Sequence, residues 1–159
     1  MEDDVVALRS RSRWLNRLAA MIFVILLVAL AIEAAMVARA DDPDGGLKFW
    51  LSYRLPMLFY LSAIWTMRRA FGRIADGELF DRVLPASLSR LGLALAGGAV
   101  ASVFATPWLL RFLGGFRQGA FAAFDPPAIT IGLVGLLLVV LSKLFAHAVA
   151  MHRELDEIL

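Results

Sequence analysis

Residues 91–110 read LGLALAGGAVASVFATPWLL, twenty positions without a charge. A helix needs about 20 mostly apolar residues to cross the hydrocarbon core of a bilayer. A membrane strand would alternate polar and apolar residues, and this stretch does not. It therefore predicts a membrane-spanning helix, and three further runs repeat the pattern. Leu18 to Ile32 is uncharged, and apolar character resumes after Glu33 up to Ala38. Phe49 to Met67 is apolar apart from Arg54, and Ala128 to Ser142 is prolonged past Lys143 to Met151. The expected fold class is all-α: an integral membrane four-helix bundle with both termini cytoplasmic. It forms one transmembrane domain over residues 1–159, with spans at about 15–40, 48–72, 86–113 and 127–152.

Composition agrees. Of 159 residues, 60% are hydrophobic and 19% charged, and the mean hydropathy is +0.74. A soluble domain of this size has too little interior to hide that much apolar surface. Cysteine is absent, which excludes disulfides, thiolate metal sites, iron–sulfur clusters and thiol catalysis. A net charge of +2 is no signature of nucleic-acid binding, and none is expected.

The connections carry turn chemistry. Asp41-Asp42-Pro43-Asp44-Gly45-Gly46, Asp76-Gly77 and Gly114-Gly115 read as helix stops and turns, Asp81 as a cap with Pro85 close behind, and Asp125-Pro126-Pro127 as a helix start. The first run is expected to be a retained span rather than a cleaved signal. It is too long for a signal core, and it ends in Met36-Val37-Ala38-Arg39-Ala40 followed by acids.

Charge sets the orientation. Arg9, Arg11, Arg13, Arg17, Arg68, Arg69, Arg73, Arg82, Arg90, Lys143 and Arg153 fall on one side of such a bundle. Arg39, Lys48, Arg111 and Arg117 fall on the other. Basic residues are retained in the cytoplasm, so the first group is expected inside.

The stretch from Arg68 to Gly92, with Gly77-Glu78-Leu79-Phe80 and then Leu91-Gly92, resembles part of a bacterial four-helix membrane family catalogued as domain of unknown function 2975. In that family a Gly, two residues and a Phe precede a Leu-rich third helix. Phe145, Met151, Glu154 and Asp156 stand where the family has Phe, a large apolar residue, Glu and Asp. Ala148 stands where Gly is usual, and Glu157-Ile158-Leu159 replaces a more polar ending. The resemblance spans roughly half the chain. It implies a multi-pass protein of the bacterial inner membrane and brings no activity with it. Members are often encoded beside a small helix-turn-helix regulator, which implies a regulatory partner.

Several residues stand out within this frame. Glu33 lies ~10 Å below the outer end of the first helix and Arg54 ~9 Å below that of the second. Intramembrane charges face a partner or a cavity, so the two are expected to form an ion pair that fixes helix register; a proton or anion site is the alternative. Pro56 is expected to free the Ser52 carbonyl and bend the second helix. Gly92, Ala96, Gly97, Gly98, Ala101 and Ser102 give the third helix a small-residue surface, and Ala128, Gly132 and Gly135 do the same for the fourth. Small residues let membrane helices approach closely, so these two helices are expected to pack together, a dimer seam being the alternative. Trp108, Phe112, Phe116, Phe121 and Phe124 predict a short interfacial helix outside.

The expected cytoplasmic interaction face comprises Arg68, Arg69, Arg73, Gly77, Phe80, Arg82, Arg90, Glu154 and Asp156. The plainer reading of this face is retention plus contact with lipid headgroups. Lys143 and His147 share a helix face, and His152 falls off it, so no paired-histidine metal site is expected. With no catalytic triad and no phosphate-binding Gly loop, no enzyme activity and no cofactor or metal are expected. The leading expectation is a non-enzymatic inner-membrane protein whose partners are membrane lipids and another protein, in its specific form a small transcriptional regulator tethered at the membrane. An accessory subunit or assembly factor of a larger membrane complex is the alternative, and a small transporter or lipid-binding protein the weaker one.

Overall fold

In the computed structural model, residues 2–39, 43–76, 80–113 and 122–158 are described, with side chains for 13–39, 46–76, 83–113 and 122–151. The described residues form α1 (Glu2–Ala38), α2 (Pro43–Ala75), α3 (Phe80–Val100), a π-helical turn (Ala101–Ala105), α4 (Thr106–Leu113) and α5 (Pro126–Ile158). α4 continues α3 through the π turn.

Each long helix packs on its sequence neighbours: α1 on α2, α2 on α3, α3 on α5. The pairs run antiparallel. Glu33 meets Arg54 at one end of the α1–α2 pair, Phe23 meets Trp65 further along, and Asn16 lies opposite Gly72 near the other end. Among the described residues α1 does not pack on α3 or α5, so the bundle is open along that side.

Three segments are long and apolar enough to cross a membrane: Arg13–Ala38, Val83–Leu113 and Pro126–Met151. None of the apolar window of α1 is buried by protein. A helix apolar all round and unburied requires lipid for its exposed face. α2 is long enough but departs from the expected apolar run, because Lys48, Ser52, Arg54, Ser62 and Thr66 are distributed along it. It is held between α1 and α3, so a membrane that surrounds those two surrounds α2 as well. Protein neighbours cover Ser52, which is fully buried. α2 runs unbroken through Pro56, itself buried.

Two observations fit a bilayer. The flanking charges are spaced alike on every helix: Arg17 and Arg39, Lys48 and Arg68, Arg90 and Arg111, Asp125 and Lys143. At about 1.5 Å per residue these separations are ~27–33 Å, the thickness of a hydrocarbon core. Five hydroxyls inside the spans are satisfied by their own helix, as an apolar solvent demands. Ser52 Oγ donates to Lys48 O at 2.9 Å, Ser62 Oγ to Phe59 O at 2.7 Å, Thr66 Oγ1 to Ser62 O at 2.9 Å, Thr130 Oγ1 to Pro126 O at 2.9 Å and Ser142 Oγ to Val139 O at 2.7 Å.

The small-residue surface divides between two neighbours. A Cβ on Gly132 would stand 2.6 Å from Ala99 Cβ, and one on Gly135 would stand 2.6 Å from Gly92 O and 2.8 Å from Ala96 N. These are close approaches between α3 and α5, as expected. Gly97 and Gly98 face α2 instead: added Cβ atoms would collide with the rings of Phe59 and Tyr60, at 2.9 and 2.5 Å. The two adjacent glycines thus receive α2's aromatics while Gly92 and Ala96 receive α5. Ala101 and Ala128 are buried.

The π turn has a local cause. Pro107 has no N–H to give the carbonyl of Val103, and its ring crowds that carbonyl. Widening the turn relieves the crowding. The Thr106 backbone N–H then donates to Ala101 O, and its side-chain hydroxyl bonds the same oxygen at 3.2 Å. The freed Val103 carbonyl accepts the N–H of Ala123 at 2.8 Å. Asp125 completes the tie. Its Oδ1 accepts the Ala128 N–H at 3.2 Å, an N-cap at the helix start expected there, and its Oδ2 accepts the Ser102 hydroxyl at 2.9 Å. The separate aromatic helix expected to lie outside is not seen among the described residues: Trp108 and Phe112 stack at 5.6 Å within α4, the end of the third span, and Phe124 lies in the non-helical stretch before α5. Phe116 and Phe121 lie outside the described residues.

Candidate functional site

The polar chemistry gathers at two levels of the bundle. Toward the acidic end, Arg54 Nη2 lies 2.7 Å from Glu33 Oε2, and both side chains are 41% exposed. The pair stands on the outer surface of the α1–α2 ridge, not inside a protein cavity. It neutralises two charges against each other where lipid is the surrounding medium. That geometry suits the register role better than an ion pathway.

The second level is the opposite, basic end, and Trp65 organises it. On one side its ring meets Phe23 of α1 at 5.4 Å between centroids. One turn further along α2, Arg68 and Arg69 place their guanidinium carbons 5.1 and 5.4 Å from the same ring. The spacing explains this, since positions three and four residues on share a helix face with Trp65. A cation over an indole face is favourable, more so when partly desolvated. The aromatic ring is therefore braced by α1 and in turn orders two cations.

Beside it, α2 and α3 form a partly open cavity of about 300 Å³ lined by Trp65, Thr66, Arg69, Ala70, Arg73, Ser87 and Arg90. Arg69 and Arg73 come from one face of α2, and Ser87 and Arg90 from adjoining turns of α3. Three arginines and two hydroxyl-bearing residues therefore line one space, and no carboxylate is among the described residues that line it.

Of the expected interaction face, the structure brings Arg69, Arg73 and Arg90 together around this cavity, with Arg68 beside it over Trp65. Gly77 and the side chains of Phe80, Arg82, Glu154 and Asp156 lie outside the described residues. Lys143 and His147 are exposed on α5 and line no part of the cavity.

Three features here go beyond the sequence reading. Trp65 reads in the sequence only as part of an apolar run, although a Trp three and four residues before a pair of Arg is a recognisable signal. Pro107 inside the third span signals the π turn. Asn16 Oδ1 and Trp50 Nε1 are buried without a hydrogen-bond partner, and nothing in the sequence marks them.

No curated protein and no solved structure matches the chain. A family model does, over residues 47–158. The match takes in α2 from Leu47 onward, the cavity, the π turn and all of α5, and leaves α1 outside it. On that match, covering well over half the chain, the protein belongs to the family described as Protein of unknown function (DUF2975).

Proposed function

We propose that this is a non-enzymatic, multi-pass protein of the bacterial inner membrane that binds another protein through its basic end. The specific form is the tethering of a small transcriptional regulator. The observation that carries this is the convergence of Arg68, Arg69, Arg73 and Arg90 around Trp65 at one end of the bundle. Basic residues are retained on the cytoplasmic side, so this end and both termini face the cytoplasm, within reach of a soluble partner. An ordered arginine and aromatic cluster is the composition enriched at energetically dominant interface positions. An acidic surface on the partner would complement it.

A photo-crosslinking residue in place of Arg68 tests the reading in living cells. The expected result is an adduct with a soluble cytoplasmic protein, weakened when Arg90→Glu is added. Absence of any light-dependent adduct at this position would overturn it.

One observation favours a second reading, an accessory subunit or assembly factor of a larger membrane complex. α1 and α5 expose continuous apolar faces, and the described residues leave the bundle open between them. A crosslinker in place of Leu137, exposed on α5, would then capture an integral membrane protein, and position 68 would capture nothing.

A further inference from the structure

We infer that the cavity between α2 and α3 is a binding site for a phosphate-bearing anion, held by Arg69 and Arg90 with Trp65 as its wall. This goes beyond the protein-partner reading, since it assigns a ligand to the cavity rather than a partner to its rim.

The chemistry of the lining suits an oxyanion. Guanidiniums present planar, forked donors that match phosphate oxygens. Arg69 and Arg90 reach the cavity from two different helices, so a bound anion would bridge α2 and α3. Among the described residues neither has a carboxylate within ion-pair distance. Ser87 adds a hydroxyl. Arg69 is already ordered over Trp65, and Trp65 is braced by Phe23. Less side-chain entropy is therefore given up when the anion arrives.

Depth is the second argument. Lys48 and Arg69 on α2, and Arg111 and Arg90 on α3–α4, are each 21 residues apart. About 32 Å of helix separates each pair, so the cavity lies one hydrocarbon thickness from the opposite flanking charges, at headgroup level. A phosphate there comes either from an anionic phospholipid whose chains run along the α2–α3 groove or from a soluble phosphate ester in the adjoining water.

Native mass spectrometry of the intact protein in detergent, titrated with phosphatidylglycerol or phosphatidylcholine, separates these sources and tests the site. Phosphatidylglycerol is expected to bind more tightly than phosphatidylcholine. The pair Arg69→Gln and Arg90→Gln should weaken it about thirtyfold, since each substitution removes one cationic group from the headgroup phosphate. Arg13→Gln with Arg17→Gln removes equal charge from the same end of α1 and should change binding by no more than about twofold, because distant exposed charges are screened. Ala70→Leu keeps every charge and fills the cavity, and should weaken binding as the arginine pair does. A circular dichroism melt of each variant establishes that it remains folded. Displacement of the lipid by glycerol phosphate would support a soluble source, and retention of the lipid a membrane source. Equal binding of the two lipids with no binding of glycerol phosphate would overturn the inference. So would equal weakening in the α1 control, or full binding by Ala70→Leu. Crosslinking at position 68 reads the partner proposal separately, so failure of one leaves the other standing.

Discussion

Glu33 and Arg54 meet at 2.7 Å, and their value to the protein depends on what surrounds them. In water a half-exposed pair contributes little; against lipid, the loss of one partner leaves the other charge without compensation. Glu33→Gln or Arg54→Leu alone should therefore destabilise the purified protein by about 2 kcal/mol, and the double variant should recover part of that loss. Thermal unfolding of the two single variants and the double variant in detergent gives the coupling energy. Strictly additive losses would mean that the pair does not interact in solution and that each charge faces something else.

At the scale of elements, the α3–α5 seam is set by backbone approach and the π turn by one proline. Gly135→Ala would drive its Cβ to 2.6 Å from Gly92 O, a backbone atom that cannot swing aside. Such overpacking is expected to cost about 1–3 kcal/mol. Gly72→Ala, whose Cβ would meet only Asn16 Nδ2 at 3.9 Å, should be tolerated. A comparison of the two melting curves checks this contrast. Asp125→Ala removes both the cap of α5 and the bond to Ser102, and should lower stability by about 1–2 kcal/mol. Pro107→Ala restores an N–H that would compete with Ala123 for the Val103 carbonyl. Hydrogen exchange at the Ala123 amide should then speed up, while α3 and α5 stay protected. An unchanged exchange rate at Ala123 would show that the π turn does not depend on the proline.

For the whole molecule, the arrangement places Arg13, Arg17, Arg68, Arg69, Arg73, Arg90 and Lys143 at one end of the bundle. With that end in the cytoplasm, the connection between α1 and α2 faces outward. Because the chain contains no cysteine, Asp44→Cys provides a single labelling position without a background. A membrane-impermeant maleimide should modify it from the outer side of intact cells. Labelling only in inverted vesicles would reverse the topology and move the basic cavity to the outer face.

The uncharged runs were enough to determine an all-helical membrane protein, because length and apolarity alone decide whether a helix can cross a bilayer. The depth match of Glu33 and Arg54 was legible for a similar reason: two residues on antiparallel neighbours joined by a short turn must meet if their distances from that turn agree. The sequence also marked Asp125-Pro126-Pro127 as the start of α5 and the small residues of α3 and α5 as a seam. It could not assign Gly97 and Gly98 to α2, since a helix apolar nearly all round gives no period from which to read its neighbours. α2's polar positions look like interruptions in a span until its place between α1 and α3 shows what surrounds them. The cavity depended most on tertiary structure. Trp65, Arg69 and Arg73 lie on one helix and Ser87 and Arg90 on the next, and only the rotation of α2 against α3 turns those residues toward a common space.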